Sequence, residues 1–141
     1  MHIPLISTLT LLAEVIVASL IFFVVYTGYA HNNFQKKTTE WTIGYEIIVN
    51  VGYMLYRSIA HPQSYALSSL LKVVAMAHGI LSLAMLIWVV VFFLKARRGY
   101  ASGENYFKKH RIVTMAFTAC WLASIFSGIF LYLKVYMGVW G

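Results

Sequence analysis

The stretch VVAMAHGILSLAMLIWVVVFFL, residues 73–94, runs from end to end without an Asp, Glu, Lys or Arg. An α-helix needs roughly twenty apolar residues to cross the hydrocarbon core of a bilayer. A stretch of this length and character predicts a membrane-spanning helix. Basic residues bound it on both sides, Lys72 before and Lys95, Arg97 and Arg98 after.

Outward from this stretch, the same test picks out Leu5 to Tyr29, Thr42 to Ile59 and Ile112 to Tyr136, and the third segment itself is read as beginning at Leu67 or Val73. The second segment is the weakest by hydropathy, because Glu46, Asn50 and Arg57 interrupt it. Four spans in 141 residues leave only short connections, which favours an antiparallel bundle in a single domain covering 1–141. The predicted fold is all-α: an integral membrane four-helix bundle, up-down-up-down. Composition agrees, with 61% hydrophobic residues and a mean hydropathy of +0.76, well outside the range of ordinary soluble domains. The N-terminal stretch lacks a basic leader and carries Glu14, so the first helix is expected to be retained rather than cleaved. Cys120, the single cysteine, excludes an intrachain disulfide and reads as a packing residue.

Charge placement sets the expected orientation. Lys36, Lys37, Lys95, Arg97, Arg98, Lys108, Lys109 and Arg111 flank the first and third connections, against Arg57, Lys72 and Lys134 on the other side. The positive-inside rule then puts both termini outside the cytoplasmic (inner) membrane of a multi-pass protein. Tyr65, Tyr132, Tyr136 and Trp140 suit an outer aromatic belt, and Trp41, Tyr100 and Tyr106 an inner one. The net charge of +7 is accounted for by this pattern, so lipid is the expected partner and nucleic acid is not.

Polar groups inside apolar helices are the informative exceptions, since a charge near the bilayer centre costs about 3 kcal/mol even on insertion scales. Glu46, Asn50, Tyr53 and Arg57 share one face of the second helix, and Thr42 extends the stripe. It reads either as an interhelical hydrogen-bond network or as a proton path or the wall of a cofactor pocket. At about 1.5 Å per residue, Glu14, Glu46 and His78 fall within about a turn of one another in depth if the third helix begins at Leu67, whereas a start at Val73 puts His78 only about 8 Å deep. His78 reads either as a hydrogen-bonded core histidine or as a metal or haem ligand. His31 and His110, at the inner ends of the first and fourth helices, form a candidate axial haem pair. His2 and His61 are candidates on the outer surface. Ala75, Gly79 and Ser82, with Ala123, Ser124, Ser127 and Gly128, mark expected inward faces where small residues let helices approach. No nucleophile elbow or phosphate loop is present, and no enzymatic activity is expected.

The segments HGILSLAMLIWVVVFFLKARRGY (78–100) and FKKHRIVTMAFTACWLASIFSGIFLYL (107–133) together resemble a family of small four-helix bacterial membrane proteins that includes the YozB/CtaM-type cytochrome oxidase maturation factors. The matching features are His78 in the third helix, His110-Arg111 closing a basic connection, and Gly128 with Tyr132 in the fourth helix. At the positions where the family places histidines around the second helix, this chain has Gln35 and Arg57, with His31 and His61 each four residues away. The resemblance implies an accessory or assembly factor of a respiratory redox enzyme that binds haem or copper, with His78 and His110 as ligands and other membrane subunits as partners. The alternative is a non-catalytic subunit of a larger membrane redox complex, carrying b-type haem or acting as a scaffold. From His78 to Leu94 a helix rises about 24 Å, so His78 and His110 are not expected to share one ligand.

The orientation is tested by cysteine labelling in intact cells. Cysteines introduced at Asn33 and Ser102 are expected to resist a membrane-impermeant thiol reagent while one at Gln63 reacts, and labelling of the first two would reverse the topology.

Overall fold

The computed structural model describes residues 5–60 and 68–137 and, within them, leaves out the side chains of Arg57, Ser58 and Ala60. The expectations placed on His2, His61, Gln63, Tyr65, Leu67, Trp140 and the Arg57 side chain therefore lie outside the described residues. Those residues form α1 (Leu5–His31), α2 (Lys36–Ala60), α3 (Ser69–Ala101), α4 (Tyr106–Lys109) and α5 (Arg111–Tyr136), with no strand among them.

Three helices, α1, α3 and α5, are long and apolar enough to cross a membrane. The fourth expected span, α2, has the length, but its polar residues leave it short of that apolarity, as the interruptions at Glu46 and Asn50 foreshadow. There are five helices rather than four because the third connection contains the single turn α4. Boundaries also move outward from those set by hydropathy. α2 starts at Lys36 instead of Thr42, α3 runs from Ser69 to Ala101 instead of ending at Leu94, and α1 continues to His31. Lys, Arg and Glu are good helix formers, so a helix does not stop where its apolar stretch does.

The connections close with identifiable chemistry. Gly103, at φ +84°, ends α3: its N–H bonds the Tyr100 carbonyl at 3.1 Å and the Glu104 N–H bonds that of Gly99 at 3.0 Å. This is a Schellman cap, which needs a left-handed residue just past the helix. Asn105 follows as the N-cap of α4, its side-chain oxygen accepting from the Lys108 N–H at 3.1 Å and the Tyr100 hydroxyl at 2.7 Å. Its amide donates to the Tyr29 carbonyl at 3.2 Å, so one side chain ties α1, α3 and α4 together.

Residue pairs fix the relative directions of the helices. Ser7 meets Tyr53 and Tyr136, Glu40 pairs with Arg97 at 3.0 Å, and His78 meets Ser127, so each helix in these pairs runs opposite to its neighbour. The packed core lies towards the end of the structure that holds α4. There Phe107 is fully buried, within ring contact of Phe34, Phe92, Phe93 and Tyr100, and Phe117 stacks on Trp121 and packs against Phe92. Ile21, Val24 and Val89 fill the remaining space.

The outer surfaces of the helices are apolar. Leu5, Ile48, Leu70 and Ile112 are all more than 70% exposed. A surface of this kind is an aggregation hazard in water and is the ordinary solvent-facing surface in lipid. Of the small residues expected to face inward, Ser82, Ser124, Ser127 and Gly128 are partly buried, whereas Ala123 is exposed and a Cβ on Gly79 would meet nothing within 4 Å. Cys120 is partly buried against the core.

A Cβ on Gly28 would stand 2.6 Å from the Phe107 ring and 2.9 Å from the Tyr100 hydroxyl. Because that ring is enclosed, Gly28→Ala is expected to lower the stability of the detergent-solubilised protein by about 1 to 3 kcal/mol. An unchanged unfolding midpoint would show that Phe107 has room to move.

Candidate functional site

Away from the aromatic core the four long helices separate around a cavity of about 370 Å³. It is lined from Ser7 to Val15 on α1, from Glu46 to Met54 on α2, from Ala75 to Leu86 on α3 and from Trp121 to Tyr136 on α5. Helix register orders these residues by depth. Ser7, Tyr53 and Tyr136 lie at one end, where the Ser7 hydroxyl is 3.1 Å from the Tyr53 hydroxyl and 3.5 Å from that of Tyr136. Thr8 and Tyr132, 2.6 Å apart through their hydroxyls, pin α1 to α5 at the same level. Trp121 and Met85 close the other end, over the aromatic core.

Between these ends lies a layer of polar side chains. The His78 Nδ1 is 2.7 Å from the Ser127 hydroxyl, its Nε2 is 3.3 Å from that of Ser82, and Ser82 lies 3.4 Å from Ser124. Gly128 makes room for the ring: a Cβ there would come within 3.1 Å of it. Across the cavity, Asn50 donates its amide to Glu46 Oε2. Glu46 is 3% exposed and its Oε1 has no hydrogen-bond partner, nor has Oε1 of Glu14 or the indole N–H of Trp121. Both carboxyls line the same cavity.

Of the residues singled out in the sequence, Glu14, Glu46, Asn50, Tyr53 and His78 line this one cavity. Counted from the outer end of each helix, Glu14, Glu46 and His78 have similar depths, and all three line this cavity. Thr42, 2% exposed, continues the stripe below Glu46, its hydroxyl turned to the carbonyls of Thr38 and Thr39. The stripe is more than a closed hydrogen-bond network, since a buried Glu46 oxygen stays unsatisfied. Trp121 was not singled out: a tryptophan in an apolar helix carries no sequence signal that its N–H lacks an acceptor.

His31 and His110 belong to the opposite end. His31 is exposed, with its ring edge-on to Tyr26, while the His110 Nδ1 lies 3.0 Å from the Tyr106 carbonyl and its ring packs on Tyr106. A resident haem or copper does not fit these surroundings. Among the described residues, no three His, Cys, Asp or Glu gather where they could hold a metal. Both ring nitrogens of His78 already face hydroxyls, and no second described imidazole lines its cavity. Comparison with known proteins finds no matching family model, no matching curated protein and no matching solved structure.

Two substitutions at Glu46 separate its charge from its shape. Glu46→Gln keeps an oxygen for Asn50 and removes a poorly compensated carboxylate, so it is expected to raise detergent stability by the order of 1 kcal/mol. Glu46→Leu strands the Asn50 amide and is expected to cost about 1 to 3 kcal/mol. Denaturation midpoints of the two variants check the signs, and a Gln variant less stable than the parent would mean that the carboxylate has a compensating charge.

Proposed function

We propose that the chain is a membrane-embedded accessory or assembly factor of a respiratory redox enzyme, of the YozB/CtaM-like kind, without catalytic activity of its own. It acts in the cytoplasmic membrane as an up-down-up-down four-helix bundle with both termini outside. In this reading α2 crosses the bilayer together with the three more apolar helices, since α1 and α3 flank it and its polar stripe is turned towards the cavity that all four line. The opposed directions of neighbouring helices and the Glu40–Arg97 pair at the basic end support that arrangement.

The observation that carries the functional reading is the meeting of residues that mark the resemblance. His78 packs its ring on Gly128, and Tyr132, one turn further along α5, lines the same cavity. They come from segments far apart in the chain, and their convergence beside two carboxyls makes a site out of what the sequence offers as separate features. Since the described residues do not suit a resident haem or copper, the role is that of a factor that handles a partner or a small molecule, rather than an electron carrier.

The test is deletion and complementation. Loss of the chain is expected to lower the amount of assembled terminal oxidase in membranes several-fold, and His78→Ala is expected to reproduce the loss at unchanged abundance of the chain itself. Unaltered oxidase would refute the reading. An optical spectrum of the purified protein, oxidised and then dithionite-reduced, that showed one b-type haem per chain would replace it with the electron-carrying subunit.

A further inference from the structure

The polar layer of the cavity is unbalanced. Glu14 on α1 and Glu46 on α2 each present a buried Oε1 with no hydrogen-bond partner, and Trp121 on α5 presents an indole N–H in the same condition. Glu46 is 3% exposed and Trp121 6%, so neither deficit is met by bulk solvent. A buried polar atom without a partner is costly, and a buried carboxylate more so. No Lys or Arg is among the described residues that line the cavity. His78 offers no spare proton to the carboxyls, because its ring nitrogens are turned to Ser127 and Ser82.

What the two carboxyl oxygens lack is a group that bears hydrogen-bond donors, and a positive charge on it would balance carboxylates; the Trp121 N–H, itself a donor, calls instead for an acceptor. A metal ion is a poor candidate, since no three ligating side chains gather among the described residues. An organic ammonium needs no such cage. Its N–H groups can bond both carboxyl oxygens. Leu11, Val15, Leu86 and Ile125 supply the walls for an apolar body. A volume of about 370 Å³ is at the small end of the ligand-pocket range of about 300–1,000 Å³, which limits that body to about a single ring or short chain.

We propose that the cavity binds a small lipophilic ammonium, a protonated amine on an apolar body, with its nitrogen held between Glu14 and Glu46. The proposal concerns the same cavity as the accessory role and stands on its chemistry alone, so amine binding and oxidase assembly can fail independently.

The experiment uses the full-length protein in detergent micelles with tritiated phenethylamine as probe. One saturable site per chain is expected, displaced by unlabelled phenethylamine but not by a hundredfold excess of the neutral isostere 2-phenylethanol. Glu14→Gln and Glu46→Gln, both near-isosteric, are expected to weaken binding at least tenfold each while the variants elute as the parent does on size exclusion. Equal displacement by 2-phenylethanol would reduce the site to an apolar cleft and overturn the proposal on the unmodified protein. Undiminished affinity in both Gln variants, or stoichiometric binding of Cu²⁺ or Zn²⁺ that is lost in His78→Ala and is accompanied by no amine binding, would overturn it as well.

Discussion

Phe107 occupies the position on which the helix arrangement turns. It projects from a single helical turn between α3 and α5 and is fully enclosed by Gly28, Phe34, Phe92, Phe93 and Tyr100. Only a glycine on α1 leaves room for the ring, and only a chain that turns back at Gly103 and is capped by Asn105 can deliver it there. In lipid the gain from burying an apolar group against a neighbour is small, and close packing carries the association of helices instead. An interlocked cluster of rings at one end is a strong form of such packing, and it fixes the spacing of α1, α3 and α5 where the basic connections lie.

Beyond the reach of these rings the packing changes character. The contacts are polar ones: Ser7 with Tyr53 and Thr8 with Tyr132 between hydroxyls, and the His78 imidazole with the Ser127 hydroxyl. Such bonds position helices without filling the space between them, and the cavity is the result. A bundle with a tight aromatic end and a hydroxyl-braced hollow end can hold a molecule without dissolving its own core. Glu14 and Glu46 occupy the hollow part, where Asn50 meets one Glu46 oxygen and the Oε1 atoms of both carboxyls have no partner among the described residues. Groups retained at a cost to stability are the mark of sites kept for function rather than for folding.

The length and apolarity of α1, α3 and α5 were legible in the sequence because a bilayer imposes one simple requirement, a long apolar helix with its backbone bonded internally. The polar stripe of α2 was legible for an equally simple reason, the helical period, which puts Thr42, Glu46, Asn50 and Tyr53 on one side whatever surrounds them. The ends of the helices were not. Hydropathy reports where lipid would begin, whereas α2 starts at Lys36 and α3 runs to Ala101 because helix propensity and caps decide the stop.

By itself the sequence determined the helical, membrane-compatible class, the segment cores and the inward face of α2, all consequences of composition and of periodicity within one helix. The meeting of His78 with Gly128 and Ser127, the presence of Glu14 and Glu46 on one cavity, and the unsatisfied indole of Trp121 were decided only by tertiary structure. Rotation of one helix about its axis relative to another leaves every local pattern unchanged. It is set by side-chain fit across the bundle, by Phe107 against Gly28 at one end and by Tyr132 against Thr8 at the other, and those pairings have no signature in either segment alone.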